Sequence, residues 1–360
     1  MEIVLISDGP LPLESPVRKL PFFFPARLVH MAKVSPRTVG DARIGVVELL
    51  NATDAGLTAL KNSWGSIAEI PVICLVDRKN RREVIQASAL GKTQVLERET
   101  PLALLLRTIR GKVEFDPLGD VPASVPETTL EAYRKGNAFL ESLALSTADG
   151  SKIQINLLNE SAAEVLSALE LDGMSSWVDA VQAHHSPTYC HSLMVAGLAG
   201  AFAGHLGWSK ADCLEAVAGG LLHDIGKMRI PLTILDKADK LTEDERKIIA
   251  KHPQFGRDIL KPRLEVPFDI KKMAIQHHEY LDGSGYPDGL KGDRISPKVR
   301  LMTICDIFTA LTETRAYKDG LPVRAALGTM KEMGRKLDQD MLNQFARMVI
   351  DRDFGDISRA

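Results

Sequence analysis

The chain has 360 residues, enough for two or three domains, and its 45% apolar and 26% charged content is that of an ordinary water-soluble globular protein. With 45 basic residues against 47 acidic ones there is no basic excess, which argues against a general binder of DNA, RNA or anionic membrane surfaces. Four scattered cysteines, Cys74, Cys190, Cys213 and Cys305, form no CxxC pair and read as buried thiols in a reducing cytosol. Met1–Ser7 is apolar but lacks a basic start, so no secretory leader is expected. Leu193–Trp208 is interrupted by His205 and is too short for a membrane span, which places the protein in the cytoplasm as an expectation.

Residues 1–112 alternate short apolar runs with helical segments. Strands are expected at Glu2–Ser7, Leu28–Ala32, Ile44–Leu49, Pro71–Val76 and Thr93–Leu96, and helices at Asp54–Asn62, Arg81–Ala89 and Leu102–Arg110. Continuous apolar strands separated by helices indicate a parallel sheet covered on both faces. The order and size resemble the receiver domain of two-component response regulators, a flavodoxin-like α/β fold. The receiver's chemistry is missing. Ser7-Asp8 stands where paired acids would hold magnesium, Glu48 is the nearest residue to a phosphoacceptor, and Arg98 replaces the expected lysine. The expected role is therefore a degenerate receiver-like domain that contacts a protein partner.

Residues 113–127 hold three prolines and one glycine and read as a linker. Thr128–Leu145 and Ser161–Leu171 read as helices, so residues 113–150 form a linker and connecting helix ahead of a domain at 151–360. From about Pro187 the pattern is all-α. Ser209-Lys-Ala-Asp212 starts a helix running towards His223. Thr242-Glu-Asp-Glu245 fits a capping box, and the helix it opens is expected to carry His252. Ser296-Pro297 opens a helix through Asp306 to about Thr314. The fold class expected is thus a multidomain chain, α/β first and all-α second.

The chemistry concentrates in the second half. His223-Asp224-Ile-Gly-Lys227 comes first, His277-His-Glu-Tyr-Leu-Asp282-Gly-Ser-Gly-Tyr286-Pro287 follows, and Asp306 lies beyond. His191 and His252 complete a spaced set. Any one of these histidines alone would be read as an ordinary core or surface residue. Together they make a ligand set for a borderline transition metal. Adjacent ligands such as His223-Asp224 and His277-His278 can address one centre only near a helix end, and the following glycines suggest such ends.

The first motif resembles the signature of the HD phosphohydrolase superfamily, and the second that of its HD-GYP subfamily, with every defining position present. The spacing of His191, His252 and Asp306 fits, and the resemblance covers about residues 185–350. It implies a cyclic di-GMP phosphodiesterase of bacterial second-messenger signalling, yielding pGpG, GMP or both. It further implies metal ligands at His191, His223, Asp224, His252, His277, His278 and Asp306, with Asp224 bridging two metals and a water or hydroxide held between them as nucleophile. Iron or manganese is the implied metal, in accord with the His-rich set. Some family members hold a third metal through a Glu four residues before the first histidine. Here that position is Pro187, so two divalent ions are expected, with His184 and His185 as loop residues.

Lys227 is expected to reach a substrate phosphate, and Arg315 and Lys318 match family positions that contact substrate phosphates. Tyr286 stacks on guanine or packs against the helices; the sequence leaves both open. Gly283 and Gly285 are assigned to a tight turn permitting positive φ, and Asp282 to holding a histidine tautomer. Two alternatives remain, a catalytically silent cyclic-dinucleotide-binding module and a hydrolase of another cyclic dinucleotide. The oligomeric state is open, with a homodimer admitted.

Overall fold

The computed structural model describes residues 2–11, 15–91, 93–113, 121–184, 186–235, 237, 240–314 and 319–351. The chain divides into two compact units, Met1–Asp116 with Pro231–Thr233, and Pro117–Ile230 with Ile234–Ala360.

In the N-terminal unit Glu2–Ser7 (β1), Ala26–His30 (β2), Ala42–Glu48 (β3), Val72–Val76 (β4) and Thr93–Glu97 (β5) form a parallel sheet ordered β2-β1-β3-β4-β5. The central register pairs Ile3 with both Ala26 and Ile44, and Val46 with Ile73. Successive side chains of a strand face opposite sides. Val4 and Ile6 pack into a cluster with Leu57, Leu60 and Ala87. Ile3 and Leu5, on the other face, are equally buried. The unbroken apolar run is thus the signature of a sheet covered on both sides. The helices are Pro36–Val39 (α1), Asp54–Asn62 (α2), Arg81–Ala89 (α3) and Leu102–Arg110 (α4). The second strand ends earlier than expected. Met31–Lys33 forms a 3-10 turn, and the His30 Nδ1 atom accepts the Ala32 amide at 3.1 Å to close it.

At the carboxyl ends of these strands the acids are internally satisfied. Glu48, fully buried, accepts from Ser15 Oγ at 2.6 Å, from the Leu50 amide at 3.1 Å and from Arg98 Nε at 3.0 Å. Arg98 also donates to Glu83 Oε2 at 2.6 Å. Asp8 accepts from the amide and hydroxyl of Thr53 at 2.7 and 2.6 Å.

The remaining elements named are helices: Glu127–Asp149 (α5), Ile155–Leu171 (α6), Gly173–Gln182 (α7), Pro187–His205 (α8), Lys210–Leu222 (α9), Leu232–Leu235 (α10, divided between the two units), Glu243–Ile249 (α11), His252–Leu260 (α12), Phe268–Gln276 (α13), Pro297–Thr312 (α14), Val323–Glu332 (α15) and Gln339–Asp351 (α16). The proline-rich stretch expected as a linker falls partly outside the described residues, and α5 begins at its end, at Glu127. The expected helix at Ser161 starts earlier, at Ile155, and α7 was not foreseen. Every residue of α8 from Tyr189 to Ala203 is buried, against α6, α7, α9 and α14. The apolar stretch from Leu193 to Ala203 is therefore part of the core of a helical unit, and Gly204 and His205 beyond it are exposed. Among the described residues no helix is long and apolar enough to cross a membrane.

Candidate metal centre

Seven side chains converge from five helical segments. His191 lies in the first turns of α8, whose start is fixed by Ser186 at the N-cap and Pro187 at the first helical position. α9 ends at Leu222. The chain then tightens into a 3-10 turn, Ile225–Arg229, with His223 and Asp224 at the junction. His277 follows the last residue of α13 and His278 comes next. Both adjacent pairs thus sit at helix ends, as their convergence on one centre requires. Asp306 projects from the middle of α14. His252 corrects an expectation: the capping-box helix stops at Ile249, and His252 opens a new helix, α12, with Pro253 in its first turn. That start packs against the turn after Asp224. A Cβ on Gly226 would lie 1.9 Å from the His252 carbonyl oxygen, so only glycine allows the approach.

The ring orientations are set by hydrogen bonds at Nδ1. His223 Nδ1 lies 2.7 Å from the Gly220 carbonyl, His252 Nδ1 2.9 Å from that of Ile249, and His277 Nδ1 3.1 Å from those of Met273 and Ala274. A carbonyl only accepts, so each Nδ1 carries the proton and the neutral ring presents its Nε2 lone pair inward. His191 Nδ1 lies 3.2 Å from Glu313 Oε2.

The inward atoms form two overlapping groups. On one side His191 Nε2 is 3.0 Å from Asp306 Oδ1 and 3.6 Å from Asp224 Oδ2, and His223 Nε2 is 3.2 Å from Asp224 Oδ2. On the other, His252 Nε2 lies 3.3 Å from Asp224 Oδ1 and 3.0 Å from His277 Nε2, with His278 completing the group. Asp224 therefore turns one oxygen to each side.

These donors fit a cation. His223 Nε2 is buried without a hydrogen-bond partner. The Nε2 atoms of His252 and His277 face each other with their protons committed at Nδ1, an arrangement of two lone pairs that a positive charge between them relieves. Burial opposes ionisation of Asp224, yet the Lys227 ammonium holds it well below the usual carboxylate range. Asp306 is likewise held down against burial by His191 and His278. Burial pushes His252 down to about 3, with His278 and Lys227 adding to the effect, and drives His277 well down. For His191 burial also acts downward, but Asp306 and Glu313 outweigh it and push the ring up to about 9. The site thus offers anionic carboxylates and unprotonated imidazoles, with one proton held at His191 that a bound cation would displace.

Other expected residues distribute as follows. Lys227 Nζ is paired with Asp224 Oδ2. Tyr286 stacks on the His278 ring, with centroids 4.8 Å apart and planes 23° apart. Arg315, Lys318 and His185 lie outside the described residues. Asp282 does not hold a histidine: its Oδ1 accepts from the amide and hydroxyl of Ser284 at 2.9 and 2.7 Å, an Asx turn within the loop. Gly283 has the positive φ expected, 85°, but Gly285 is needed for close approach, since a Cβ there would lie 2.5 Å from the His278 carbonyl oxygen. His184 lies in the loop between α7 and α8, as expected, and is buried there, with Nε2 2.8 Å from Asn137 Oδ1 and Nδ1 accepting the Ser186 amide at 3.0 Å. Two acids were missed. Glu313 sits against His191. Glu279, buried, accepts the amides of Asp288 and Leu290 at 2.6 and 2.8 Å and so ties the glycine-rich loop beside His277 and His278.

The profile of the HD domain family matches residues 155–341. The cyclic di-GMP phosphodiesterase PA4108 of Pseudomonas aeruginosa is 38% identical over 162 residues, 45% of this chain and 39% of that protein. The 3'3'-cGAMP-specific phosphodiesterase 3 of Vibrio cholerae is 40% identical over 152 residues, 42% of this chain and 33% of that protein. The chain therefore matches well under half the length of either relative. A solved structure, Bd1817, an HDG"Y"P protein of Bdellovibrio bacteriovorus, superposes with a TM-score of 0.51 at 15% identity, covering 68% of this chain and 80% of that one, a likeness of fold. With the family profile spanning more than half of the sequence, this chain belongs to the HD domain family.

Proposed function

We propose that the chain is a metal-dependent phosphodiesterase that opens the phosphodiester bonds of cyclic di-GMP, giving pGpG, GMP or both. The observation that carries this reading is Asp224, whose two oxygens face separate histidine groups at 3.2 and 3.3 Å. That arrangement suits two divalent ions, iron or manganese: His191, His223 and Asp306 would hold one, His252, His277 and His278 the other, and Asp224 would serve both. Such ions supply Lewis acidity toward a phosphodiester and an activated water at neutral pH.

The chain's own residues supply the rest. The Nδ1 bonds hold four imidazoles in one tautomer, so the donors are set before anything binds. Lys227, paired with Asp224, is the group assigned to turn its positive charge toward a substrate phosphate once the carboxylate is engaged elsewhere. Arg315 and Lys318 are the further basic groups assigned to the phosphates. Tyr286, stacked on His278, braces that ring.

The likeness to a 3'3'-cGAMP-specific enzyme supports a second substrate within the same reaction class. Purified full-length protein, loaded with Fe(II) or Mn(II), should convert cyclic di-GMP to linear product resolved by chromatography, and a parallel incubation with 3'3'-cGAMP ranks the two. Failure to cut either one, under both reducing and aerobic conditions, would sink the reading. Tight binding without turnover would instead mark a silent nucleotide-binding module.

A further inference from the structure

Three of the four Nδ1-anchored histidines lean on main-chain carbonyls, and only His191 leans on a carboxylate. The supplier, Glu313, is an unusual residue in its place. It is 6% exposed and caps the carboxyl end of α14, with its amide donating to the Thr309 carbonyl at 2.9 Å. Burial disfavours a carboxylate, and the negative end of the helix dipole disfavours it again. An acid held against both terms needs a compensating partner, and His191 provides one at 3.2 Å. Asp306, two turns earlier on the same helix, lies 3.0 Å from the other nitrogen of that ring. α14 therefore grips His191 from both edges.

We propose that Glu313 is a positioning residue for His191. By accepting the Nδ1 proton it fixes the ring with Nε2 toward Asp224 and Asp306. A carboxylate partner also makes that nitrogen a stronger donor than one backed by a neutral carbonyl. The two cation positions then differ in strength. The one built on His191, His223 and Asp306 is the tighter, and the one built on His252, His277 and His278 the weaker. This rests on the metal-binding reading above, and Glu313 touches neither substrate nor ion.

The test is Mn(II) titration of the metal-free full-length protein, followed by calorimetry, with Co(II) absorption as a second probe. Wild type should show two unequal affinities. Glu313→Ala should weaken the tighter one about 10–100-fold and alter the Co(II) spectrum. Glu313→Gln keeps an acceptor but no charge and should fall between. Thermal unfolding of the metal-free variants separates this effect from a general loss of fold; if Glu313→Ala does not fold, Glu313→Gln decides. Variant affinities within twofold of wild type overturn the role of Glu313 while leaving the metal centre standing. A wild-type chain that takes up no divalent ion overturns both.

Discussion

Both units bury carboxylates, and they neutralise them in opposite ways. In the N-terminal unit the counter-charge is part of the chain: Arg98 lies between Glu48 and Glu83, and Ser15 and the Leu50 amide fill the remaining valences of Glu48. In the helical unit Asp224 and Asp306 face imidazoles whose lone pairs point inward, with Lys227 as the one side-chain ammonium paired to Asp224 among the described residues. The first arrangement is closed and structural. The second leaves donors in excess of protons and suits a cation taken from solution. A cluster of acids becomes a metal centre through what faces it, and the number of acids does not decide the matter.

The sharpest way to break this contrast is to remove the shared carboxylate. Asp224→Asn keeps shape and buried volume while deleting the charge that faces both histidine groups. Bound metal, measured by elemental analysis, should fall to background together with phosphodiesterase turnover, while helix content by circular dichroism stays near wild type. His223→Ala should do the same. A variant that retains metal and activity would show that the geometry around Asp224 has been misread.

The matching experiment in the other unit is Arg98→Ala. It strands Glu48 and Glu83 in a buried setting, and breaking a buried pair from one side costs on the order of 3 kcal/mol. The expected signature is an earlier unfolding transition of the N-terminal unit in urea, with metal content unchanged. Loss of metal on this substitution would contradict the separation of roles.

Acid should also tell the units apart in the metal-free protein. Burial holds His252 at about 3 when folded, against an ordinary value of 6.5. As pH falls below 6.5 the unfolded chain takes up this proton and the folded one does not, so stability is lost between about pH 6.5 and 3. His277 and His278, also pushed down by burial, act in the same direction. His191 acts in the opposite sense: raised to about 9, it contributes fully below 6.5 and loses its contribution as pH rises through 9. For Asp8 burial acts upward but the Thr53 bonds prevail and lower it, so its contribution goes only in stronger acid, below 3.8. Thermal unfolding from pH 7 to 5 should therefore lower the helical transition and leave the N-terminal one nearly fixed. A flat helical transition over that range would count against neutral buried imidazoles.

Much of this was legible in the chain because it is local. The parallel strands announce themselves as unbroken apolar runs, and the two candidate ligand pairs sit inside short motifs that also carry glycines, at the ends of their helices. What escaped depends on contacts between distant residues or on the competition between neighbouring turns. Glu313 meets His191 across 122 positions, which no spacing argument reaches. The break before His252 did carry a signal, since Pro253 suits a first helical turn and disfavours a helix continuing through it. Asp282 was drawn to a histidine on general grounds, whereas Ser284, two residues on, is the ordinary partner in an Asx turn. The closure of Glu48 by Ser15, 33 positions away, was not legible either.

Glu279 offers the finest division of the two cases, because it is a buried acid next to two candidate ligand histidines that is nevertheless closed. Its oxygens accept the amides of Asp288 and Leu290, so its charge is spent on holding the loop that carries Tyr286. In Glu279→Gln one oxygen can still accept, but the amide nitrogen that replaces the other is a donor facing a donor. One main-chain N–H is left without its partner, at a cost of about 1–3 kcal/mol. Hydrogen exchange at Asp288 and Leu290 should quicken, while metal stoichiometry should hold. If metal is lost instead, Glu279 belongs with Asp224 and Asp306, and the line between closed and cation-seeking acids has to be redrawn inside the helical unit.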